Sequence, residues 1–411
     1  MTSIEIKLHE NVKSENQIAF DIRGDPKIGL SPSIVNAIRR TLLSSIPTVG
    51  FKTEMDDSDI IIKSNTTPLH NEYLLHRIGL IPLYIDPESW NSNYLFYLSV
   101  TSKDDEPIQR ITSKSFSIYP LKPDIDPDEI KSISIDNYDF TKPLSDKDKK
   151  DIFRPFYWNQ MDEYIPITEI KSTKSSIKQK LELYGVPRIG VGYEDARWQA
   201  VSRSSYSYKK DPELFKKVLK DKIEINKVPE EKWEDFKNEL EISESERYFH
   251  RDDNLEAYWY QFYIDSQHFY NSKQLFVKAN EIIIEQLDIF KEELPKLTTE
   301  EDSIMEIKTI SDELVFKLHV QGYDDTIGNI LQTYIANQYI NDESIISLCG
   351  YKKDHPLEDK IHFTIAFNSA NKNYNSTKQQ KLTTIIQTFQ EACSELSVIF
   401  SDIIKETEGS L

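Results

Sequence analysis

The pattern of apolar and polar positions near the amino terminus predicts a strand, a helix and a second strand. Residues 17–22 alternate apolar with polar side chains, as a half-buried strand does. The next apolar positions recur at helical spacing, and they predict a helix that is capped by Ser31 and closed before Pro47. Residues 48–55 are again strand-like, and a second helix is predicted over 67–79.

The pattern changes between about residue 86 and residue 256. Short strand-like runs, such as residues 95–100, alternate there with loops rich in Pro and Asp. Residues 210–247 are dense in both charge signs, which predicts one or two exposed amphipathic helices, with disorder as the alternative. Residues 258–266 then return to the strand pattern, and residues 273–294 form a helical pattern with one apolar stripe.

A second strand–helix–strand unit follows. Two strand-like runs precede a predicted helix over 326–340, and two more precede a long predicted helix over 377–406. Both units end in a helix with an apolar stripe, so the two stripes can pair as a pseudo-dimer within one chain. The predicted pairing interface consists of apolar residues on these helices: Phe276, Ile283, Leu287, Phe290, Ile327, Ile330, Leu331, Phe389, Leu396 and Phe400.

The predicted fold class is α+β, with two dimerisation units of which the first is split by a mostly-β insert. The predicted domains are a first dimerisation unit at 1–85 with 257–293, an insert at 86–256, a linker at 294–303, and a second dimerisation unit at 304–411.

The composition of the chain argues against several kinds of function and site. The 411 residues include 50 Lys and Arg against 69 Asp and Glu, giving a net charge of −19, so the chain is a poor candidate for holding nucleic acid by itself. The only two cysteines, Cys349 and Cys393, exclude a disulfide framework and a zinc site built mainly from cysteines. We expect no secretory signal and no membrane span, because no apolar run is long enough.

Candidate chemical sites are few. Asp124, Asp126 and Asp128 have the alternate spacing of an acidic metal loop, but a solvated loop is the simpler interpretation. Gly190 and Gly192 lack the third glycine of a phosphate-binding loop and are typical of a turn between strands. We therefore predict no catalytic residue, no metal and no cofactor. The adjacent Arg39 and Arg40 are either solvated helix charges or anchors for the carboxylates of a partner.

Three segments in the first half of the chain carry a resemblance to a known family. Residues 36–48, NAIRRTLLSSIPT, and residues 65–83, NTTPLHNEYLLHRIGLIPL, resemble the alpha-motif region of the third-largest subunit of eukaryotic RNA polymerase II and of its archaeal D-type counterpart. Residues 190–208, with Ala-x-Trp after a Gly-rich turn, resemble the insert-domain segment of that family.

The second unit resembles the eleventh subunit of the eukaryotic enzyme and its archaeal L-type counterpart. Residues 324–331, DDTIGNIL, match the turn into its first helix, and residues 349–356, CGYKKDHP, match its Gly-Tyr-x-x-x-His-Pro stretch. The chain therefore looks like a fusion of the two subunits that normally form the alpha-like heterodimer. Such fusions are a feature of the polymerases of nucleocytoplasmic large DNA viruses, and the abundance of Ile, Lys, Asn and Tyr agrees with an AT-rich genome.

The resemblance implies a non-catalytic assembly-platform subunit that docks the largest and second-largest polymerase subunits and contacts small subunits. DNA and RNA are then reached only through the complex, and no homo-oligomer is expected. The alternative is a free-standing adaptor or assembly protein with the same fold. By resemblance, the residues that face the second-largest subunit are Arg39, Arg40, His76, Arg77, Gly79, Leu80 and Pro82.

Metal and location follow from the same resemblance. Some relatives carry a cysteine zinc loop or an iron–sulfur domain in the insert, but no cysteine stands there in this chain, so neither metal is expected. The implied location is intracellular: the viral factory in the host cytoplasm and the virion if the chain is viral, with the nucleus as the alternative.

Overall fold

The computed structural model describes residues 4–9, 14–24, 30–54, 56–121, 140–158, 160–172, 178–298, 303–311, 314–341, 343–368 and 377–410. Eight α-helices occur in these ranges: α1 Pro32–Ser44, α2 Asn71–Gly79, α3 Asp146–Ile152, α4 Pro212–Asn226, α5 Trp233–Glu244, α6 Ser272–Glu293, α7 Asp325–Tyr339 and α8 Lys378–Ser410.

Twenty strands occur in the same described ranges. They are β1 Glu5–Leu8, β2 Gln17–Arg23, β3 Pro47–Gly50, β4 Thr53–Glu54, β5 Asp57–Ser58, β6 Ile60–Asn65, β7 Tyr94–Thr101, β8 Ile108–Thr112, β9 Ser117–Pro120, β10 Phe156–Trp158, β11 Met161–Glu163, β12 Pro166–Lys171, β13 Lys180–Gly185, β14 Arg188–Val191, β15 Val201–Tyr208, β16 Trp259–Ser266, β17 Met305–Ser311, β18 Val315–Gln321, β19 Ile346–Lys352 and β20 Lys360–Phe367.

One supersecondary unit occurs twice. The first copy consists of β1, β2, α1, β15, β16 and α6, and its sheet has the strand order β1-β2-β16-β15. The second copy consists of β17, β18, α7, β19, β20 and α8, and its sheet has the order β17-β18-β20-β19. Position for position the two orders are the same, so the predicted repeat of a strand–helix–strand unit ending in a helix is confirmed.

Alternation of side chains sets the register in both sheets. In the first copy, β2 pairs antiparallel with β16 so that Phe20 lies opposite Phe262, and their stacked rings are buried. In the second copy, β18 pairs antiparallel with β20, and Leu318 lies opposite Phe363. A one-residue slip would turn these rows to the other face of the sheet, so the apolar alternation fixes the pairing.

The contacts divide the chain into two compact units. We call the first the paired unit, which contains both copies: Met1–Leu42, Arg203–Asp265 and Ser272–Leu411. We call the second the insert unit: Leu43–Ser202 and Ser266–Asn271.

This division falls at different residues from the predicted domains. Residues 43–85 belong to the insert unit, because β3 pairs with β14 and is not part of the first copy's sheet. Residues 203–256 belong to the paired unit, because β15 lies beside β16. The predicted linker at 294–303 contains a short 3-10 turn over Leu294–Thr298. The assignment of dimerisation domains to the predicted ranges stays a prediction.

The insert unit has its own core. A sheet of order β6-β13-β7-β9 packs its apolar side chains against α2 and α3 residues in one buried cluster. Phe96 is the centre of the aromatic part, with the ring of Phe51 5.3 Å away and the ring of Phe153 5.8 Å away, both edge-on. Such edge-to-face pairs add about 0.5–1.5 kcal/mol each beyond the area they bury.

Helix α2 begins later than the pattern indicates. The predicted start lies at Thr67–Pro68, whereas the helix begins at Asn71 with His70 as its N-cap. Asn65 Oδ1 accepts hydrogen bonds from the backbone N–H and the hydroxyl of Thr67, and the Asn65 amide donates to the Leu69 carbonyl. These side-chain bonds hold a turn that competes with the helix.

Residues 210–247 form two helices, α4 and α5, and α4 ends in a left-handed cap at Lys227. Helix α4 has no buried residue among its described side chains and α5 has one, Leu240. The prediction of exposed helices is therefore confirmed, and the alternative of disorder is wrong.

Candidate pairing and docking sites

Helices α6 and α8 lie against each other and run in opposite directions. Near the start of α6, Lys273 Nζ donates to the Glu408 carbonyl near the end of α8 at 3.3 Å. Near the end of α6, Phe290 stacks on Phe389 with ring centroids 6.0 Å apart. The ten apolar residues predicted for the pairing are all buried: Phe276, Ile283, Leu287, Phe290, Ile327, Ile330, Leu331, Phe389, Leu396 and Phe400.

Phe290 belongs to the first copy but packs among aromatic rings of the second. Its ring centroid lies 5.4 Å from that of Tyr323 and 6.2 Å from that of Phe363, both edge-on. Phe276 behaves differently, because its ring contacts Phe20 in its own copy's sheet at 4.9 Å. The carboxyl-terminal end of α6 is therefore where the core of one copy continues into the core of the other.

Arg40 joins the two copies through charge. Its Nη2 donates to Asp324 Oδ2 at 2.8 Å and its Nε donates to Thr326 Oγ1 at 2.9 Å. The other carboxylate oxygen of Asp324 accepts from the Thr326 backbone N–H at 2.8 Å and caps α7. One arginine of α1 thus binds the capped amino terminus of α7, where a carboxylate is also favoured by the helix dipole.

Arg39 has a different environment. Its Nε donates to Asn36 Oδ1 at 2.9 Å in the same helix, and its carbonyl accepts from Ser204 Oγ at 3.3 Å. The residue is half-buried. The two adjacent arginines therefore differ in their contacts, since Arg40 reaches the second copy and the side chain of Arg39 bonds within α1.

Helix α2 presents the predicted docking segment of the insert unit. His76 and Arg77 are exposed, and Leu80 keeps 50% of its surface exposed at the end of the helix. Arg77 donates to two carbonyls of the β12 region, from Nε to Ile167 at 2.8 Å and from Nη2 to Pro166 at 2.6 Å. Arg77 therefore fixes α2 to β12, and Leu80 is exposed at the end of this anchored helix.

Gly79 closes α2 against Arg197, a residue that sequence reasoning did not single out. A Cβ at Gly79 would lie 2.7 Å from Thr53 Oγ1 and 3.2 Å from Arg197 Nη1. Arg197 donates to Thr53 Oγ1 at 2.6 Å and to the Phe51 carbonyl at 3.1 Å, and its side chain is only 8% exposed. The signal is present in residues 190–208, where this arginine stands between the Ala and the Trp.

Charge around Arg197 is compensated locally. Its guanidinium donates to Asp195 Oδ2 at 3.1 Å and to Glu54 Oε1 at 3.2 Å. Hydrogen bonding from Arg197 lowers the pKa of the Asp195 carboxyl, and this effect outweighs the opposing effect of burial. The Trp198 ring is buried and covers Gly190. Gly192 lies in a turn as predicted, whereas Gly190 lies within β14, where it pairs with Thr48 of β3.

The candidate metal ligands do not assemble within the described part of the chain. No group of three or more His, Cys, Asp or Glu side chains there is placed to hold a metal ion. Asp124, Asp126 and Asp128 lie outside the described residues. Cys349 and Cys393 are buried free thiols, and burial raises the pKa of each to about 12. Among the described helices, none is long and apolar enough to cross a membrane.

Two protein-family profiles match this chain, and both have the same description. The RNA polymerase Rpb3/Rpb11 dimerisation domain matches residues 27–319, which is more than half of the chain. A second family profile with the same description matches residues 316–406.

Curated relatives have consistent names. The chain is 25% identical over 310 residues to "DNA-directed RNA polymerases I and III subunit rpac1" of Dictyostelium discoideum, covering 69% of this chain and 81% of the relative. It is 27% identical over 262 residues to "DNA-directed RNA polymerase subunit Rpo3" of Picrophilus torridus, covering 62% and 79%. The human subunit RPAC1 is 36% identical over 73 residues, or 18% of each chain.

The chain therefore belongs to the RNA polymerase Rpb3/Rpb11 dimerisation-domain family. It is a non-catalytic subunit of a DNA-directed RNA polymerase, and it holds two alpha-like dimerisation units in one polypeptide. Both the resemblance to alpha-like subunits and the α+β fold class predicted from the sequence are confirmed.

Proposed function

We propose that this chain is the assembly platform of its polymerase and that it docks the largest and second-largest subunits. The observation that carries the proposal is the pairing of α6 with α8, because one polypeptide supplies both halves of the alpha-like dimer already in contact. A pair that is formed in advance presents one fixed surface, so that less conformational freedom is lost when a large partner binds.

Two surfaces are candidates for contact with the second-largest subunit. One is the face of α1 that carries Arg39, and the other is the segment from His76 to Pro82. Arg40 and Arg77 already make hydrogen bonds inside the chain. Arg39, His76 and Leu80 are therefore the residues whose substitution tests docking with the least disturbance of the fold.

Charge supports a role without direct nucleic-acid binding. The net charge of −19 favours basic protein surfaces and disfavours a phosphate backbone. We infer that small polymerase subunits also bind this chain, that DNA and RNA are reached only through the complex, and that the chain forms no homo-oligomer.

We further infer a viral source and an intracellular place of action. The fusion of two subunit types in one chain supports this, as does a composition with twice as many Tyr (22) as Gly (11). In a viral polymerase the chain would be found in the cytoplasmic factory and the virion, and a nuclear location in cell fractions would contradict that assignment.

Purification of the tagged chain from its native cells tests the platform role. We expect two co-purifying chains of very large mass in equal amount with the tagged chain, together with small subunits. Recovery of the chain with other partners and without the two large chains would instead support a free-standing adaptor.

The docking surface is tested with Arg39→Ala and Leu80→Asp in separate chains. Each should reduce capture of the second-largest subunit at least tenfold. An arginine that is paired in an interface costs about 2–5 kcal/mol when it is truncated, and Leu80→Asp would place an unpaired carboxylate in the contact. Tyr73→Ser is the matched control, since Tyr73 is 70% exposed on α2 but lies outside the predicted segment. Unchanged capture by both variants, with unchanged melting temperatures, would remove these residues from the interface.

A further inference from the structure

The helices α1 and α7 begin with the same pattern in the two copies. Residues 31–36 read Ser-Pro-Ser-Ile-Val-Asn and residues 324–329 read Asp-Asp-Thr-Ile-Gly-Asn. The two helices also occupy the same place in the chain order of the two copies. Aligned in this way, Arg40 of the first copy corresponds to Thr333 of the second.

The two helices contribute different residues to the contact between them: α1 supplies the cation, and the start of α7 supplies the anion. Arg40 of α1 binds the Asp324 carboxylate and the Thr326 hydroxyl at the start of α7. At the positions that correspond by repeat, Thr333 Oγ1 bonds to Asn329 Oδ1 at 3.4 Å, and Ser31 Oγ bonds to Ser33 Oγ at 2.7 Å. Each of those two bonds lies within its own copy. The ion pair between Arg40 and Asp324 is therefore not repeated at the corresponding positions, Thr333 and Ser31.

We propose that Arg40 and Asp324 determine which copies pair, by favouring an unlike pair over a like pair. If two first copies paired in the same geometry, each Arg40 would face Ser31 of the other. If two second copies paired, each Asp324 would face Thr333. Either arrangement places a charge opposite an uncharged hydroxyl, whereas the unlike pair brings the two opposite charges together.

Partial burial makes this difference count. The side chains of Arg40 and Asp324 are 35% and 30% exposed, so each has lost most of its water in the paired state. A surface pair of this kind adds little to stability, but a mismatched or like-charged group at the same place discriminates against the wrong partner. The proposal concerns pairing within the chain and is independent of docking to the large subunits.

Charge reversal in the full chain provides the test. Arg40→Asp and Asp324→Arg are made separately, and each is expected to melt about 5 °C below the parent chain, because each brings two like charges together. A third chain carries both changes, so that opposite charges meet again with their positions exchanged. We expect this double variant to melt above both single variants.

The matched control is Arg39→Asp combined with Asp324→Arg in one chain. It makes the same charge change one residue away, on a side chain that bonds to Asn36 within α1. This combination should give no recovery of the melting temperature. Recovery by the control to the same extent, or its absence in both combinations, would overturn the proposal.

A neutral pair covers the case in which the reversed chains fail to fold. Arg40→Thr and Asp324→Ser copy the residues of the other half, and serine keeps an N-cap oxygen at α7. In a single chain, we expect the two changes together to lower the melting temperature by less than the sum of the separate changes. Strictly additive losses would show that the two residues do not act as a pair and would also overturn the proposal.

Discussion

The paired unit and the insert unit obtain their cores in different ways. The paired unit buries the apolar stripes of α6 and α8, which belong to two copies of one supersecondary unit. The insert unit has no such repeat among its described elements, and it assembles short sheets around side chains such as Phe96 and Trp198. A repeated pattern makes a core that tolerates insertions between its elements, whereas the insert unit depends on individual close contacts.

Insertions in the first copy illustrate this tolerance. Between α1 and β15 the first copy accommodates most of the insert unit, and between β15 and β16 it accommodates α4 and α5. The second copy joins the corresponding elements directly, with α7 ending at Tyr339 and β19 beginning at Ile346. The strand order is the same in both copies, so the added segments leave at loops and the pairing elements are unaffected.

The largest effect should follow from Phe389→Asp. The change places a carboxylate where Phe389 now packs on Phe290 and Phe363, and all three rings are buried. An unpaired buried charge costs several kcal/mol, so we expect about 4 kcal/mol or more of lost stability in the paired unit. Hydrogen exchange should show lost protection in both copies while insert-unit peptides keep theirs.

Val398→Asp is the control on the same helix. Val398 is 57% exposed, so its substitution should leave exchange nearly unchanged. Loss of protection confined to the second copy in the Phe389 variant would contradict the view that the two copies share one core.

The next effect is acid sensitivity in the insert unit. Burial lowers the pKa of His268 to about 4, and its Nδ1 has no hydrogen-bond partner among the described residues. Because the folded pKa lies below the ordinary value near 6.5, the unfolded chain takes up the proton first. The stability contribution is therefore complete above about pH 6.5 and is lost as the pH falls towards 4, by up to ~3 kcal/mol.

His268→Gln removes this titration, and the slope of insert-unit stability between pH 6.5 and 4 should become shallower. The paired unit has its own acid response, because burial also lowers the pKa of His319 and the pKa of His362. Residue-level exchange measured at several pH values separates the two units. An identical slope in the variant and the parent chain would exclude His268 as the cause.

The smallest of the three effects is expected for Gly190→Ala. A Cβ at Gly190 would lie 2.3 Å from the Trp198 ring, which is buried and has little room to move. Overpacking of this kind costs about 1–3 kcal/mol, and here it should affect the insert unit alone. Gly409→Ala is the control, because nothing lies within 4 Å of its added carbon. Chemical denaturation followed by hydrogen exchange measures the stability of the insert unit in Gly190→Ala and in the parent chain. Equal stability would show that the close contact is unimportant.

Periodicity predicted the paired unit well, for a physical reason. Helices as long as α6 and α8 repeat their apolar stripe over many turns. The predicted ranges 273–294 and 377–406 therefore agree closely with the observed helices, Ser272–Glu293 and Lys378–Ser410. The ten apolar residues predicted for the pairing are all buried for the same reason.

The pattern of apolar and polar residues could not predict features that depend on contacts outside the local segment. The place of β15 in the first copy's sheet depends on a neighbour far along the chain, β16. The start of α2 depends on the side-chain bonds of Asn65, which compete with the helix. The internal partner of Arg40 lies 284 residues away, and no local pattern predicts such a pair. The role of each predicted docking residue stays a prediction.

The single polypeptide that joins α6 to the second copy has a kinetic consequence. Two separate subunits must find each other by diffusion, and the fraction that is paired depends on how much of each the cell contains. Here only a short 3-10 turn, Leu294–Thr298, and a few further residues separate the end of α6 from β17. A short tether of this kind holds its two ends at an effective concentration in the millimolar range, so pairing is unimolecular and insensitive to dilution. Translation of one message also fixes the ratio of the two halves at one to one, and neither half is left over to aggregate.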